Sequence, residues 1–156
     1  MPEHTAPLLG PAVPTHAFRL VNVFAESTLA GNPLAVVEDA RGLDDATMQA
    51  LALQFNLSET TFVLPSSTAT RRVRIFTPTF EMPFAGHPTL GTAHVVRDVR
   101  GAGDRVTLAM QAGIIPVEAS GDVWTLDANA PKHRPHPVAA DRIAAMLGLE
   151  VDDLAG

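Results

Sequence analysis

The sequence predicts an α+β fold in which a curled, mostly antiparallel, barrel-like sheet surrounds one central helix. Three observations support this fold class. About seven short segments have the alternating or continuous apolar pattern of β-strands. The helical segment that follows Gly86-His87-Pro88 consists mainly of small and apolar residues, so we expect it to be enclosed. A second helical segment is apolar on one side only, which is typical of a helix that flanks a sheet.

The first half of the chain predicts strands on both sides of the flanking helix. Apolar residues of both parities between His16 and Phe24 favour a strand buried on both faces. The flanking helix is expected to begin at Asp44 or Asp45, either of which can cap it, and to end at Asn56 in a left-handed conformation. Its apolar positions recur at helical spacing: Met48, Leu51, Ala52 and Phe55. The other predicted strands are Leu34–Glu38, Thr61–Leu64 and Arg71–Phe76.

The strand over Arg71–Phe76 has a polar side, because Arg72 and Arg74 alternate with apolar residues. We expect both arginines on a solvated face. The central helix is expected to open within Gly86-His87-Pro88, with Pro88 at its first helical position, and to continue to about Asp98. Three strands follow the central helix: Arg105–Gln111, Ile114–Ala119 and Val123–Ala128.

The last helix predicted by the pattern covers about Val138–Leu147. It is expected to bury Ile143, Met146 and Leu147 and to end at Gly148.

Composition excludes several classes of function. The 156 residues are 46% hydrophobic and 18% charged, with a net charge of −6. The only lysine is Lys132 and the arginines are scattered, so no basic patch for nucleic acid or an anionic membrane is expected. No apolar run approaches the roughly 18 residues of a membrane span. The absence of cysteine excludes disulfides and thiol catalysis and fits the cytoplasmic location that we expect.

The chain is expected to have three parts. Residues 1–15 contain several prolines and no basic residue, so we interpret them as a disordered leader. Residues 16–129 carry the predicted sheet and its two helices. Residues 130–156 begin with a proline-rich linker, continue with the last helix and then stop, so we interpret them as a linker and helix after which the organisation is interrupted.

Glu59 is the first candidate for chemistry. It is the only charged residue in the stretch between Asp45 and Pro65 and has apolar segments on both sides. Such surroundings disfavour the charged form of a carboxyl group, which suits a general acid or base near neutral pH. The alternative is a solvated helix-to-strand turn formed by Ser58 and Glu59.

His87 is the second candidate. Gly86, His87 and Pro88 open the central helix, where free backbone N–H groups and the positive end of the helix dipole meet. That end of a helix suits a carboxylate or an oxyanion formed during proton abstraction. It should also lower the pKa of the histidine and favour its neutral form. An ordinary capping residue explains the pattern equally well.

Other polar residues have simpler explanations. Asn32 can place its amide in a cleft, although an Asn-Pro turn is the favoured interpretation. His133 and His136 have no third ligand in sight, so we predict a wet linker and no metal site. His94 is expected in the core. Glu81 can orient the histidine of the helix start, but we favour a role in satisfying backbone donors of a turn.

The sequence contains no motif for a nucleotide or redox cofactor. Gly86 and Gly91 have the spacing of a phosphate loop, but no lysine follows, and no glycine-rich strand–helix fingerprint occurs. We therefore expect a protein without a cofactor.

Several ordered motifs resemble the phenazine-biosynthesis PhzF-like family, which has the diaminopimelate-epimerase fold. These motifs are Val23-Phe24, Gly31-Asn32-Pro33-Leu34-Ala35-Val36-Val37, Asn56-Leu57-Ser58-Glu59-Thr60-Thr61-Phe62-Val63, Phe76-Thr77-Pro78 and Glu81-Met82-Pro83-Phe84-Ala85-Gly86-His87-Pro88-Thr89-Leu90-Gly91-Thr92-Ala93. The resemblance runs from Phe18 to about Leu154. It implies one lobe of a two-lobed protein whose active site lies between the lobes.

The resemblance also implies a reaction. In the family, the carboxylate of the Ser-Glu-Thr motif moves a proton between carbons of a small cyclic hydroxy-amino acid, and this role falls on Glu59. The histidine of the Gly-His-Pro-Thr motif places His87 beside the substrate. The substrate, a small carboxylate, is then expected to contact Asn32, Ser58, Gly86, Pro88 and Thr89. No metal, flavin or nicotinamide is implied.

The chain departs from the family in length, because family members have a second lobe that supplies an aspartate and further substrate donors. The chain alone is therefore expected to be inactive unless a second chain completes the cleft. A strand or two that would complete this lobe are also missing, and an open edge invites pairing with another chain. The family implies a homodimer. The alternative to an isomerase is a non-catalytic small-molecule-binding or protein-interaction protein that kept the lobe.

Overall fold

The computed structural model describes residues 15–128, 130 and 137–154. In these ranges the strands are β1 (Phe18–Val23), β2 (Asn32–Val37), β3 (Thr60–Leu64), β4 (Arg71–Phe76), β5 (Glu81–Met82), β6 (Arg105–Met110), β7 (Gly113–Ser120) and β8 (Val123–Leu126). The helices are α1 (Asp45–Phe55), α2 (Gly86–Arg100), α3 (Ala140–Leu147) and a 3₁₀ helix, Val151–Leu154. The predicted α+β class is confirmed.

All eight strands form one sheet, in the order β1-β2-β3-β4-β6-β7-β8, and β5 pairs with β4. Neighbours are antiparallel except for β2 with β3 and β4 with β6. Each parallel pair needs a crossover, and these crossovers contain α1 and α2. The strands of the β2–β3 pair run opposite to those of the β4–β6 pair. In both pairs, however, the chain crosses the sheet toward the same edge. Right-handed crossovers therefore place the two helices on opposite faces.

The sheet curls around α2, which contacts strands from both ends of the sheet, including β1 and β8. The core on this face is a cluster of aliphatic side chains from the strands and from α2. Its fully buried members include Leu34, Leu108, Ile115, Val95 and Val96. The prediction of an enclosed central helix is confirmed.

The opposite face of the sheet is covered by α1. Met48 and Ala52 of α1 pack with Phe62 and Phe76 in a second, smaller core. The side chain of Asp44 caps the helix by accepting a hydrogen bond of 2.8 Å from the backbone N–H of Thr47. The helix ends at Asn56, which has a left-handed φ of 51°. Both predicted ends of this helix are therefore confirmed, and Asp44 is the cap.

The first and last strands of the sheet do not pair with each other. A groove of about 740 Å³ separates them and is lined by the end of β1, the start of β8 and one side of α2. Within the groove His94 of α2 lies against the ring of Trp124, with 5.9 Å between the ring centroids. His94 is exposed, so the prediction of a core histidine is wrong: its side of α2 faces the gap between the two strands.

Two predictions about strand faces are corrected. β1 is not buried on both faces, because it is an end strand: Phe18 is 50% exposed and Leu20 64%. On β4, Arg72 is exposed as predicted, but the side chain of Arg74 is only 13% exposed. Arg74 is covered because α1 packs on that face and β5, which sequence patterns missed, brings a carboxylate to it.

Two predictions about helices are also corrected. The central helix begins at Gly86, so Pro88 is its third residue and not its first. Proline is tolerated there because first-turn N–H groups have no partner within the helix. In α3, Ala144 is buried, whereas Met146 is 84% exposed and Leu147 63% exposed. Among the described elements α3 packs mainly on the 3₁₀ helix, which leaves these two side chains uncovered.

Some predictions fall outside the described residues. The leader predicted for residues 1–15 does so except for Thr15, and so do His133 and His136. The division into leader, lobe and linker stays a prediction. Within the described ranges, no helix combines the length and the apolar character that crossing a membrane requires.

Candidate active site

Three of the predicted site residues meet at one end of the sheet. Asn32 is the first residue of β2, and Glu59 directly precedes β3. These strands are parallel, so their starts lie at the same end of the sheet. By strand alternation, Asn32 shares a face with Leu34, and Glu59 shares a face with Val63. Both apolar residues pack on the α2 side, so the polar side chains point to the start of that helix.

His87, the second residue of α2, lies between these two polar side chains. Its Nε2 is 3.4 Å from Oε2 of Glu59, and its Nδ1 is 3.3 Å from Nδ2 of Asn32. The side chains of His87 and Glu59 are only 10% and 16% exposed. Neither Nε2 of His87 nor Oε2 of Glu59 has a hydrogen-bond partner among the described residues. A bound molecule can therefore satisfy both atoms.

The protonation of His87 follows from its surroundings. Burial disfavours the imidazolium and holds the pKa of His87 below its ordinary value of 6.5, although the nearby Glu59 carboxylate opposes this effect. The positive end of α2 acts in the same direction as burial. His87 is consequently neutral at pH 7, as expected from its place at a helix N-terminus.

The start of α2 can receive an anionic group. Ala85, the N-cap residue, makes no side-chain hydrogen bond to the helix. Gly86 is exposed, and first-turn N–H groups have no acceptor within a helix. The backbone donors of Gly86 and His87 therefore belong to the same helix turn as the imidazole with the unsatisfied Nε2. A substrate carboxylate or a developing oxyanion fits this arrangement.

The remaining predicted contacts are placed as follows. Ser58 is exposed beside Glu59, while Pro88 and Thr89 are buried in the first turn of α2. The hydroxyl of Thr89 donates a hydrogen bond of 2.7 Å to the carbonyl oxygen of Ala85. That hydroxyl therefore supports the start of the helix. Substrate contacts of Ser58, Gly86, Pro88 and Thr89 stay predictions.

Glu81 neither orients His87 nor serves a turn. Its two carboxylate oxygens accept hydrogen bonds of 2.8 and 2.6 Å from Arg74, and Asp45 accepts another of 2.6 Å from the same guanidinium. This pairing holds the pKa of Glu81 below its usual value. The alternation of Arg74 with apolar residues was visible in the sequence, but the two-residue strand that carries Glu81 is too short to show a period.

A pair of buried threonines was not singled out in the sequence. Thr92 of α2 donates a hydrogen bond of 2.8 Å to Thr61 of β3, and both residues are fully buried. Thr61 lies two positions after Glu59, and Thr92 lies five positions after His87. The bond thus joins the two elements that carry the candidate acid–base pair. The only signal in the sequence was strand alternation, which puts Thr61 on the same face as Glu59 and therefore on the side of the helix.

Comparisons with known proteins agree on one family. Residues 21–155 match the model of the phenazine biosynthesis-like protein family. An uncharacterized isomerase of Pasteurella multocida is 42% identical over 153 residues, which cover 90% of this chain and 50% of that protein. The trans-2,3-dihydro-3-hydroxyanthranilate isomerase of Pseudomonas aeruginosa is 44% identical over 102 residues, or 65% of this chain and 36% of that protein.

A solved structure agrees as well. The PhzF-family phenazine biosynthesis protein of Bacillus anthracis superposes with a TM-score of 0.74 at 33% identity, covering 87% of this chain and 48% of that one. The chain thus has the α+β fold of this solved structure, with a buried Glu–His pair at the start of its central helix. It belongs to the phenazine biosynthesis-like protein family. It spans half or less of the length of these curated relatives.

Proposed function

We propose that this chain is the first lobe of a cofactor-independent isomerase in which Glu59 moves a proton between two carbons of a small hydroxy-amino-acid-like substrate. The observation that carries the proposal is the buried pair formed by Glu59 and His87, whose facing atoms are 3.4 Å apart and have no hydrogen-bond partner in the part of the chain that the structure describes. Relatives named as trans-2,3-dihydro-3-hydroxyanthranilate isomerases support the same class of reaction.

The chemistry is a proton transfer that balances within the substrate. The Glu59 carboxylate removes a proton from one carbon, which leaves an enolate-like or dienol-like intermediate. The same carboxyl group then returns the proton to a second carbon and is a carboxylate again. His87 and the N–H groups at the start of α2 stabilise the negative charge that develops on substrate oxygen.

The chain by itself is proposed to be inactive, because the family resemblance assigns further substrate donors to a second lobe. Glu59 and His87 come from one lobe, and the relatives named above are about two to nearly three times as long as the aligned segments. Met146 and Leu147 of α3 also stay exposed, as expected for surfaces that another part of a protein covers. We further propose a small carboxylate substrate and a homodimer as the partners.

A chimera tests this function. The chain replaces the matched segment of the Pseudomonas aeruginosa isomerase, and the conversion of trans-2,3-dihydro-3-hydroxyanthranilate is followed in deuterated water. The chimera should isomerise the substrate and incorporate solvent deuterium, while the 156-residue chain alone should not. Glu59→Gln should lower kcat by about 10²–10⁴-fold, the usual range for loss of a general acid–base group.

The control is Glu118→Gln, which removes a carboxylate from an exposed pair with Arg105 and should leave the rate unchanged. Full activity of the chimera with Glu59→Gln would refute the proposed role and favour a binding lobe without chemistry. Activity of the chain alone would refute the proposed inactivity.

A further inference from the structure

The side chain of Asn32 contacts the ring nitrogen of His87 that does not face Glu59. Its Nδ2 lies 3.3 Å from Nδ1 of His87. An amide nitrogen only donates hydrogen bonds, so Nδ1 of His87 must offer its lone pair. A neutral imidazole carries a single proton, which therefore resides on Nε2.

The opposite arrangement is unfavourable at the other side of the ring. With the proton on Nδ1, the lone pair of Nε2 would face the carboxylate oxygen of Glu59 at 3.4 Å. Two acceptors would then meet in a site where His87 is nine-tenths buried and water screens little. With the proton on Nε2, the same contact is attractive. The Asn32 and Glu59 contacts thus favour the same tautomer.

The backbone around Asn32 holds the amide in place. Proline at position 33 confines the residue before it to extended conformations, and Asn32 accordingly begins β2, opposite Val23 of β1. On the other side, a Cβ atom at Gly31 would lie 2.5 Å from the carbonyl oxygen of Val23. Only glycine lets the chain pass at this distance, so Gly31 and Pro33 together fix where the side chain of Asn32 starts.

We propose that Asn32 is a positioning residue that holds neutral His87 as the Nε2–H tautomer, so that His87 donates a hydrogen bond into the site and Glu59 remains its only base. The chemical consequence rests on the proposed function, but the tautomer itself does not. A histidine held in this way cannot accept a proton from the substrate at Nε2. Its Nε2 lies 3.4 Å from the Glu59 carboxylate without a hydrogen bond to it, and the Nε2–H can donate to a substrate oxygen during the reaction.

Nitrogen NMR of the histidine side chains tests the tautomer in this chain without any substrate. His87→Gln identifies the His87 resonances among those of the six histidines. The wild-type spectrum near neutral pH should show a protonated Nε2 and an unprotonated Nδ1. A protonated Nδ1 would overturn the proposal. The tautomer is read in the wild-type chain, so this test does not require Asn32→Asp to fold.

Asn32→Asp replaces the amide by a carboxylate of the same shape. The amide donates a hydrogen bond to Nδ1 of His87, whereas a carboxylate can only accept one from it. The substitution should move the neutral tautomer toward Nδ1–H. It should also raise the pKa of His87 by one unit or more, a tenfold gain in proton affinity, as an additional charge joins Glu59 beside the ring. Asn22→Asp adds the same charge at an exposed position of β1 and should change neither quantity.

The outcomes separate the two proposals. An unchanged tautomer in a folded Asn32→Asp variant would remove the positioning role and leave the proposed isomerisation untouched. In the active chimera, Asn32→Asp should shift the acidic limb of the kcat/KM profile toward higher pH together with the NMR titration. If the chimera is inactive while His87 shows the expected tautomer, the proposed isomerase activity is refuted and the role of Asn32 is not.

Discussion

Thr92 and Thr61 are joined by a hydroxyl–hydroxyl bond of 2.8 Å between α2 and β3, and neither side chain is exposed to solvent. Glu59 lies next to this strand and His87 in the first turn of this helix. The bond therefore helps to set the separation of the two candidate acid–base residues. Its buried position makes each hydroxyl dependent on the other.

The threonine pair gives the first prediction. Thr92→Val should destabilise the chain by about 1–3 kcal/mol, because it leaves the hydroxyl of Thr61 buried without a partner. The double variant, which also carries Thr61→Val, should recover part of this loss, since two apolar groups of the same shape then meet. Urea unfolding measures both. Thr125→Val, at an exposed position of β8, should stay within about 0.5 kcal/mol of wild type, and equal losses in all three would contradict the prediction.

The second prediction concerns Gly91, where α2 touches the sheet most closely. A Cβ atom at this position would lie 2.7 Å from Cδ2 of Leu34 and 2.8 Å from Cγ2 of Val23. Gly91→Ala should therefore cost about 1–3 kcal/mol, as overpacking does in well-packed cores. Gly86→Ala, in the same helix but with open space around the new atom, should be neutral or stabilising by up to about 1 kcal/mol. Thermal denaturation compares the stability of the two variants. If Gly91→Ala is as stable as wild type, α2 can shift to make room for the new atom.

The third prediction separates two arginines of β4. Arg74→Gln should destabilise the chain by about 2 kcal/mol at pH 7, because it removes the guanidinium that pairs with the largely buried carboxylate of Glu81. Arg72 is exposed and lies two residues before Arg74 on the same strand. Arg72→Gln should therefore lower the free energy of unfolding by less than about 0.5 kcal/mol. Guanidinium unfolding at pH 7 compares the two, and equal losses would show that exposure does not decide the value of these charges.

The arginine pair also has a defined pH dependence. The hydrogen bonds from Arg74 lower the folded-state pKa of Glu81 below its ordinary value of 4.5. The stability that this adds is complete above the ordinary value and is lost as the pH falls through the lower, folded-state value. The difference between wild type and Arg74→Gln should therefore shrink in acid. A difference that is independent of pH would mean that packing, and not charge, makes Arg74 important.

The fourth prediction follows from the buried histidine. Burial lowers the pKa of His87 in the folded state, so the unfolded chain binds more protons as the pH falls below 6.5. The contribution of neutral His87 to stability is present above that value and is lost as the pH falls through the folded-state pKa. His87→Gln should flatten this part of the stability profile between about pH 7 and pH 5, measured by urea unfolding. An equal slope in wild type and His87→Gln would contradict this origin of the pH dependence.

Local signals in the sequence were sufficient where a structure is decided by neighbouring residues. Asp44 caps α1 through the N–H of Thr47, and Asn56 ends the same helix in the left-handed conformation, both within a few residues of the pattern that predicts them. The environment of β1 was harder to predict. Its apolar residues of both parities match a central strand, but the strand lies at the end of the sheet, and no local pattern shows where a sheet ends.

The candidate site shows the same division. Glu59 and His87 stood out because a lone carboxyl group in an apolar stretch and a histidine at a helix start are unusual on chemical grounds. The contact of Asn32 with His87 joins residues that are 55 positions apart. An Asn-Pro turn explains Asn32 locally, so its hydrogen bond to the imidazole becomes visible only when β2, β3 and α2 are placed together.

The two helices differ in how they can be reached by solvent. α1 lies on the outside against two strands, so it can detach while the sheet remains paired. α2 contacts both end strands, and its exit requires these strands to separate from it. Backbone amides of α1 should therefore exchange with deuterium through local openings, and those of the middle of α2 only through opening of the whole sheet. The middle of α2, the helix whose first turn carries His87, is thus also the part whose order survives longest as the rest of the molecule loosens.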